Sequence, residues 1–385
     1  MTYSVSATGD KSGVFLKSLT GIRLFAALAI VLHHVPGHFG ISHELTEGWS
    51  LGQGVSVFFV LSGFILTYRY PALTDRAAIV RFWVARVARI WPAHAFILFV
   101  LLLVNYDSMP DIESTSLKNI LANVFLVQSW FPYAGYFFGY NSVSWSISTE
   151  MGFYLLFPFL IFCFQKTWLL KVFISFSVGF VFVLLAYYMS IPSFQYPDNK
   201  IVMEGLIYVN PLARLFEFVA GMCSAFLWIK FHNRIVMNRV LWTVLEVFSV
   251  LFLIFNVSFL SKIFSVFSFD FGFPGLYWKV MSLFPALAAA VFIFVMAKSE
   301  GFLSSVLSTR FFVYMGEVSF SIYLLHLVII KMFDDLPALG YLNDFFALIL
   351  ALISVFVCSM LMFHFVEKPG KTMIISVSRL FGNRK

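Results

Sequence analysis

Charged residues are scarce in this chain. Asp, Glu, Lys and Arg make up 12% of its 385 residues, whereas hydrophobic residues make up 61% and include 50 Phe. Soluble domains average about 25% charged residues, so this composition excludes an ordinary water-soluble protein. Lipid offers the backbone no hydrogen-bond partners, so segments that cross a membrane must be helices or a closed barrel. The apolar runs here have the length of about 20 residues that a spanning helix needs. We therefore predict an all-α, polytopic integral membrane protein.

Cysteine and cofactor motifs are also scarce. The three cysteines, Cys163, Cys223 and Cys358, lie in apolar runs without metal-ligand spacing, so we expect them to be core residues. The sequence contains no zinc motif, Walker loop or dinucleotide fingerprint, and we expect no bound metal. The net charge of +7 does not indicate a nucleic-acid partner, because the basic residues lie in short loops beside the apolar runs. No internal repeat is evident, which argues mildly against an inverted-repeat transporter.

Ten apolar runs are predicted to cross the bilayer as helices. They cover residues 16–36, 50–70, 84–104, 145–165, 168–190, 205–229, 240–261, 277–297, 311–333 and 342–366. A shorter apolar stretch at 117–131 is predicted to lie along the membrane interface or to re-enter it. The whole chain, 1–385, is then a single membrane domain with a short cytoplasmic tail at 367–385. The first run lacks a small-residue cleavage site, so we expect a retained first span and no cleaved signal peptide.

The distribution of positive charge predicts the orientation. With both termini in the cytoplasm, 20 of the 26 Lys and Arg residues fall in cytoplasmic segments. Cytoplasmic loops are typically enriched in Lys and Arg, so this asymmetry favours the arrangement. The predicted outer loops are relatively acidic, with Glu44, Glu47, Asp107, Asp111 and Glu113.

Arg23 and His34 are two ionisable residues in the first span. They are eleven positions apart, which is about three helical turns plus 20°, so they share one helix face about 16 Å apart. Ionisable groups at membrane depth are costly and usually serve a function. This pair is therefore the first candidate for a functional site inside the bundle.

The ionisable residues at membrane depth are predicted to form two layers. The cytoplasmic layer contains Arg23, Arg86, Arg89, Glu317 and Glu367. The outer layer contains His34, Glu150, Arg214, Glu217 and His326. Arginines facing the cytoplasm suit phosphate, because the guanidinium fork matches phosphate oxygens and stays charged. Histidine with glutamate suits proton transfer, because imidazole titrates near neutral pH.

Other interpretations of these residues remain open at this point. Arg86 and Arg89 could be ordinary cytoplasmic anchors of the third span. Arg214 and Glu217 are three residues apart and could simply neutralise each other. Glu150 could be a buried acceptor near the start of its span. The whole set also fits the proton or solute path of a transporter or channel, or a structural subunit of an envelope complex.

Seven motifs follow one another along the chain. The first is LTGIRLFAALAIVLHH, which contains Arg23 and His34, and the others are GQGVSVFFVLSGFILTYRY, RFWVARVARIWPAH, SVSWSISTEMGFYLLFP, RLFEFVAGM, GEVSFSIYLLH and FVEKPGK. In this order they resemble the membrane acyltransferase-3 family, whose members move acetyl or related groups onto sugars, lipids and polyketides. The first resembles the family's first helix, with its arginine and histidine at Arg23 and His34. The fourth motif often carries two adjacent acids, whereas here Met151 follows Glu150. Together the matches cover nearly the whole chain.

The resemblance implies an O-acetyltransferase of the bacterial inner membrane. Its donor would be acetyl-CoA, and its acceptor a hydroxyl of a carbohydrate, such as a surface polysaccharide or a lipid-linked sugar. A succinyl or longer acyl group, and a small glycoside or lipid acceptor, remain alternatives. We expect no hydrolase-like domain after the last helix, in which case either the membrane part completes the transfer or a separate periplasmic partner does. A homo-oligomer is also compatible with the family.

The resemblance also implies roles for individual residues. His34 would be the general base, oriented by Glu150, or would carry the acetyl group itself. Arg23, Arg86 and Arg89 would bind the CoA phosphates. The residues expected to bind the acceptor are Trp145, Tyr154, Arg214, Glu217, Tyr323 and His326.

The predicted topology can be tested with reporter fusions. Fusions after residues 110, 198, 266 and 338 should report the outer compartment, and fusions after 76, 168, 235, 305 and 380 the cytoplasm. The physical reason is the excess of Lys and Arg in the second set of loops. A clear reversal in the first set would contradict the two-layer interpretation, because the arginines would then face away from cytoplasmic CoA.

Overall fold

A computed structural model describes residues 16–42, 50–104, 106, 116–195, 200–259, 271–334 and 344–382. The fold within these ranges is built from α-helices. These are α1 (Lys17–His33), α2 (Gly54–Arg69), α3 (Arg76–Leu103), α4 (Leu117–Val124), α5 (Ala134–Phe137), α6 (Trp145–Ile161), α7 (Phe164–Tyr188), α8 (Leu215–Phe231), α9 (Arg239–Ser258), α10 (Gly272–Trp278), α11 (Phe284–Met296), α12 (Phe302–Leu307), α13 (Arg310–Asp334), α14 (Asp344–Met362) and α15 (Lys368–Gly382). The predicted acids of the outer loops, from Glu44 to Glu113, lie outside the described residues.

The described helices confirm an all-α polytopic membrane protein. Seven helical segments are long and apolar enough to cross a membrane, namely Leu51–Arg69, Arg76–Leu103, Phe164–Tyr188, Arg239–Ser258, Gly272–Met296, Arg310–Asp334 and Asp344–Leu380. Three of the other predicted spans correspond to the apolar helices α1, α6 and α8, each of 17 residues. The number ten and the cytoplasmic location of the termini stay predictions.

The third and sixth spans begin at different places from those predicted. Helix α3 begins at Arg76 rather than at 84, because the side chain of Asp75 accepts a 2.7 Å hydrogen bond from the backbone N–H of Ala78 and caps the helix. Helix α8 begins at Leu215 rather than at 205. The preceding residues form a separate π-helical turn at Glu204–Tyr208, and Pro211 cannot supply the backbone N–H that a continuous helix would use.

The predicted interface segment at 117–131 is α-helical as far as Val124, and a short 3-10 helical turn follows at Gln128–Trp130. Leu126 adopts a positive φ of 56°, which ends the regular helix. Its polar residues Asn119 and Asn123 are buried, whereas Leu117 and Phe125 are 69% exposed. An outward apolar face is the arrangement expected where the surroundings are lipid.

The end of the chain remains helical beyond the predicted last span. Helix α14 leads through a π-helical turn at Phe363–Glu367 into α15, so the predicted tail is helical as far as Gly382. The turn places the side chain of Glu367 in the interior, where it is 1% exposed. Helix α15 packs against α3, and a Cβ on Gly370 would lie 2.5 Å from Cβ of Pro92.

Helices α2 and α8 pack closely against each other. A Cβ on Gly63 would collide with the carbonyl oxygen of Phe218, and a Cβ on Gly221 would collide with that of Val60. Small residues let helix backbones approach closely inside membranes. Gly63 and Gly221 are therefore packing points that hold α2 against α8.

The prediction that the cysteines belong to the core is wrong for two of them. Cys163 and Cys358 are exposed, and Cys223 is partly buried. The outer surface of a membrane protein faces lipid, so apolar side chains on it are as acceptable as those in the interior. An apolar run therefore does not reveal which of its faces is buried.

A buried carboxylate fixes the connection between α11 and α13. Glu246 on α9 is 1% exposed and accepts hydrogen bonds from the backbone N–H groups of Gly301 (3.1 Å), Leu303 (2.9 Å) and Ser304 (3.3 Å). It also accepts a 2.5 Å bond from the Ser304 hydroxyl. These donors belong to the start of α12, where an acid is favourable for the helix dipole. Glu246 therefore has a structural role that the sequence motifs did not indicate.

Candidate active site

A cavity of about 110 Å³ lies between α1, α2, α3, α6 and α13. Its polar lining residues are Arg23, Ser62, Arg86, Arg89, Ser146, Glu150, Tyr154 and Tyr323. The structure thus brings together the three arginines predicted to bind the donor. They are far apart in sequence, and α13, which packs against both α1 and α3, helps to bring them together.

Glu150 lies in this cavity with the arginines. Its Oε1 accepts a 2.6 Å hydrogen bond from the hydroxyl of Tyr154, one turn further along α6. Its negative charge is also close enough to act electrostatically on Arg23. The predicted two-layer arrangement, in which Glu150 belongs with His34, is therefore wrong in its placement of Glu150.

Arg86 is surrounded by aromatic rings. The carbon atom Cζ of its guanidinium lies 5.8 Å from the ring centroid of Tyr154 and 5.9 Å from those of Tyr70 and Phe82. Such contacts stabilise a cation through the ring quadrupole. Its buried Nε has no hydrogen-bond partner within the described residues. An unpaired buried donor costs about 1–3 kcal/mol, so an anion bound there would relieve that cost.

Arg89 has an internal partner. Its Nη1 donates a hydrogen bond to Oε1 of Glu367, and the hydroxyl of Ser321 donates to Oε2 of the same carboxylate at 3.0 Å. Cζ of Arg89 also lies 5.7 Å from the ring centroid of Phe320. Arg89 therefore joins α3 to the π-helical turn at Phe363–Glu367 as well as lining the cavity.

Tyr323 connects the cavity to a second group of polar side chains. Its hydroxyl donates to the carbonyl oxygen of Val143 at 2.8 Å and lies 2.6 Å from Oγ of Ser146. Its ring centroid is 6.2 Å from that of Phe58 and 5.9 Å from that of His326. The tyrosine thus contacts both the arginine cavity and the histidines beyond it.

His34 forms a pair with His326. His34 follows the last residue of α1 and is half-buried, whereas His326 on α13 is fully buried. Nδ1 of His34 lies 3.2 Å from Nε2 of His326 and 2.9 Å from the carbonyl oxygen of Ile30. Two histidines are buried in the described part of the chain, His326 and His94. Within the described residues, Glu150 is not among the hydrogen-bond partners of His34.

Arg214 and Glu217 form a separate buried ion pair. Both are 0% exposed, with Nε to Oε2 at 2.5 Å and Nη2 to Oε1 at 2.9 Å. Arg214 also donates to Oγ of Ser56 and to the carbonyl oxygen of Tyr208. Cζ of Arg214 lies 6.0 Å from the ring of Trp145. Mutual neutralisation was one alternative left open by the sequence, and in the structure the two side chains do pair. Arg214, Glu217 and Trp145 do not line the described cavity. Their binding of an acceptor stays a prediction.

Comparison with known proteins decides the family. A family model described as an acyltransferase domain, Acyl_transf_3, matches residues 16–364. The chain belongs to this acyltransferase family. No solved structure matches the chain significantly.

Three relatives show the range of the family. The chain is 35% identical to the acyltransferase MdmB of Streptomyces mycarofaciens over 153 residues, which cover 38% of this chain and 39% of the relative. It is 26% identical over 373 residues to the peptidoglycan O-acetyltransferase OatA of Listeria monocytogenes, covering 92% of this chain and 56% of that protein. It is also 26% identical over 374 residues to the putative peptidoglycan O-acetyltransferase YrhL of Bacillus subtilis, covering 93% and 55%. The match to each of these relatives thus spans about half of the relative's length or less.

The ion pair between Arg214 and Glu217 is expected to serve stability first. Glu217→Gln leaves a buried arginine without its counter-charge, which costs about 3–5 kcal/mol. We expect a large fall in the thermal midpoint of the detergent-solubilised protein. The double variant Arg214→Met, Glu217→Leu should lose less, because it leaves no unpaired charge.

Glu300→Gln is the matched control for this experiment. Glu300 is 46% exposed and pairs with Lys298 at 3.2 Å, so its loss should change the midpoint little. A Glu217→Gln protein with unchanged stability and a raised KM for acceptor would contradict the structural role and favour acceptor binding.

Proposed function

We propose that this chain is a membrane O-acetyltransferase of the bacterial inner membrane, which transfers an acetyl group from cytoplasmic acetyl-CoA to a hydroxyl of a carbohydrate acceptor. The proposal rests on one observation, the connection of an arginine-lined cavity to His34 through Tyr323 and His326. Membership of the acyltransferase family supports it. Two of the relatives are named as peptidoglycan O-acetyltransferases, which favours acetyl as the group and a carbohydrate as the acceptor.

The arginines are assigned to the donor. CoA is a polyanion, and the guanidinium group is suited to phosphate oxygens. Arg89 is partly neutralised by Glu367, so Arg23 and Arg86 carry the positive charge that is available in the cavity. Glu150 holds the Tyr154 hydroxyl and limits the excess of positive charge. The aromatic rings around Arg86 hold its guanidinium in place without using its hydrogen-bond donors.

His34 is assigned to the chemistry. Its Nε2 removes the proton of the acceptor hydroxyl while that oxygen attacks the thioester carbonyl. The carbon–sulfur bond breaks, and the CoA thiolate takes the proton from the imidazolium, so the products are an acetyl ester and free CoA. An acetyl-histidine intermediate would use the same Nε2 lone pair, so the His34 variants below test either route. The C-terminal end of α1 carries a partial negative charge, which favours the transient imidazolium.

Arg86→Ala is expected to weaken donor binding. Loss of a charge-assisted phosphate contact costs about 1.5–3 kcal/mol, which corresponds to roughly ten- to hundredfold in Kd for acetyl-CoA. Binding can be measured calorimetrically on the purified protein, with Arg76→Ala as control, since Arg76 is exposed at the start of the same helix. If Arg86→Ala and Arg76→Ala bind acetyl-CoA equally well, Arg86 does not bind the donor and is better interpreted as a membrane anchor.

His34→Ala should abolish acetyl transfer while acetyl-CoA still binds. His34→Gln should fail too, because an amide forms hydrogen bonds but does not accept the proton at neutral pH. His232→Gln is the matched control: Nδ1 of His232 also lies 3.0 Å from a carbonyl oxygen four residues earlier, that of Trp228, at the end of α8. The measurement is turnover of radiolabelled acetyl-CoA in proteoliposomes with acceptor. Near wild-type turnover in His34→Ala would contradict the proposed mechanism.

A further inference from the structure

His34 and His326 form a chain of contacts that ends on the protein backbone. Nδ1 of His326 lies 2.7 Å from the carbonyl oxygen of Tyr323. Nε2 of His326 lies 3.2 Å from Nδ1 of His34, and that nitrogen lies 2.9 Å from the carbonyl oxygen of Ile30. The side chains come from α1 and α13, and the two histidines are 292 positions apart.

The two carbonyl oxygens determine which ring nitrogens carry protons. A carbonyl oxygen only accepts hydrogen bonds, so the nitrogen that faces it must be the N–H of a neutral imidazole. His326 is therefore protonated on Nδ1 and presents the lone pair of Nε2 to His34. His34 is protonated on Nδ1 as well, with Ile30 and His326 both as acceptors. The lone pair of His34 is then on Nε2, the nitrogen left free for an acceptor hydroxyl.

We propose that His326 is the positioning residue of His34: its Nε2 shares the Nδ1–H of that imidazole with the carbonyl oxygen of Ile30 and so fixes the orientation of the ring. This inference rests on the proposed role of His34 as base. It gives His326 the place that the sequence assigned to Glu150, which in the structure bonds to Tyr154 instead. In a catalytic triad an acid performs this task for the histidine.

A neutral imidazole is suited to this place because of its surroundings. His326 is 0% exposed and lies in the centre of α13, among residues of a membrane-spanning helix. An ionised carboxylate without a counter-charge would be costly there, whereas a neutral ring with both nitrogens bonded is not. The bond to the Tyr323 carbonyl holds the ring, so His326 supplies geometry rather than charge.

Two substitutions separate positioning from simple packing. The amide of asparagine reaches about as far as Nδ1 of histidine, so His326→Asn can keep the bond to Tyr323 but loses the contact with His34. The amide of glutamine reaches about as far as Nε2, so His326→Gln keeps an acceptor for His34 and loses the bond to Tyr323. If His326 has only a structural role, His326→Asn should be at least as active as His326→Gln. If His326 positions His34, His326→Gln should be the more active variant.

The experiment measures kcat and the KM for acetyl-CoA in proteoliposomes, together with the thermal midpoint of each variant. We expect His326→Asn to lower kcat by roughly 10- to 100-fold, by analogy with the loss seen when the hydrogen-bond partner of a metal-ligating histidine is removed. The KM for acetyl-CoA should stay near its wild-type value, and His326→Gln should recover most of kcat. Equal kcat in both variants, or a higher kcat in Asn, would overturn the proposal.

Two further measurements keep the result interpretable. Nitrogen-15 NMR of histidine-labelled protein reports the hydrogen bonding of the His34 Nδ1–H, and its chemical shift should stay near the wild-type value in His326→Gln and change in His326→Asn; an unchanged shift in both variants would count against the proposal. His34→Ala, assayed in parallel, separates the proposed function from the proposed positioning role of His326. If His34→Ala is active, the proposed function fails; if it is inactive while His326→Asn has normal kcat, only the positioning role fails.

Discussion

The absence of water from the hydrocarbon layer is the constraint on which this structure depends. A charged group there must have a partner, since neither lipid nor neighbouring apolar side chains can replace its hydration. The chain meets this condition in three ways. Arg214 pairs with Glu217, Arg89 pairs with Glu367, and Glu246 accepts four hydrogen bonds at the start of α12.

The same constraint separates structural charges from functional ones. Arg214 and Glu217 satisfy each other within one turn, in a fully buried cluster with Ser56 and Tyr208. Arg86 differs because its positive charge meets aromatic faces, and its Nε has no hydrogen-bond partner in the described part of the chain. A cation held in this way is prepared for an anionic ligand. Within the described residues, Arg86 has an unsatisfied hydrogen-bond donor, whereas the donors of Arg214 bind Glu217, Ser56 and Tyr208. Arg86 is therefore the better candidate for binding the acyl donor.

The fold supplies two neighbouring environments for the proposed reaction. One is the cavity, with its arginines and the hydrogen bond from Tyr154 to Glu150. The other is the histidine pair, in which backbone carbonyls assign the protons. Tyr323 belongs to both, through its ring in the cavity and its carbonyl oxygen on His326. The proposed donor, acetyl-CoA, would bind by its phosphates and react at the far end of a long arm. Separate sites for phosphate binding and for the reaction suit such a donor.

The fold class, the family and most of the relevant residue types could be predicted from the sequence, because apolar length and local spacing are properties of the chain alone. The three-residue spacing of Arg214 and Glu217 predicted their pairing as one alternative, and Arg23, Arg86 and Arg89 were identified before their cavity was known. The hydrogen-bond partners of Glu150, Arg89 and His34 became known only from the packing of the helices. Contacts between residues on different helices depend on helix rotation and on local breaks such as the π-helical turn before Lys368, which no periodicity reveals. Exposure of Cys163 and Cys358 escaped prediction for a related reason: in lipid, the outer and inner faces of an apolar helix have the same composition.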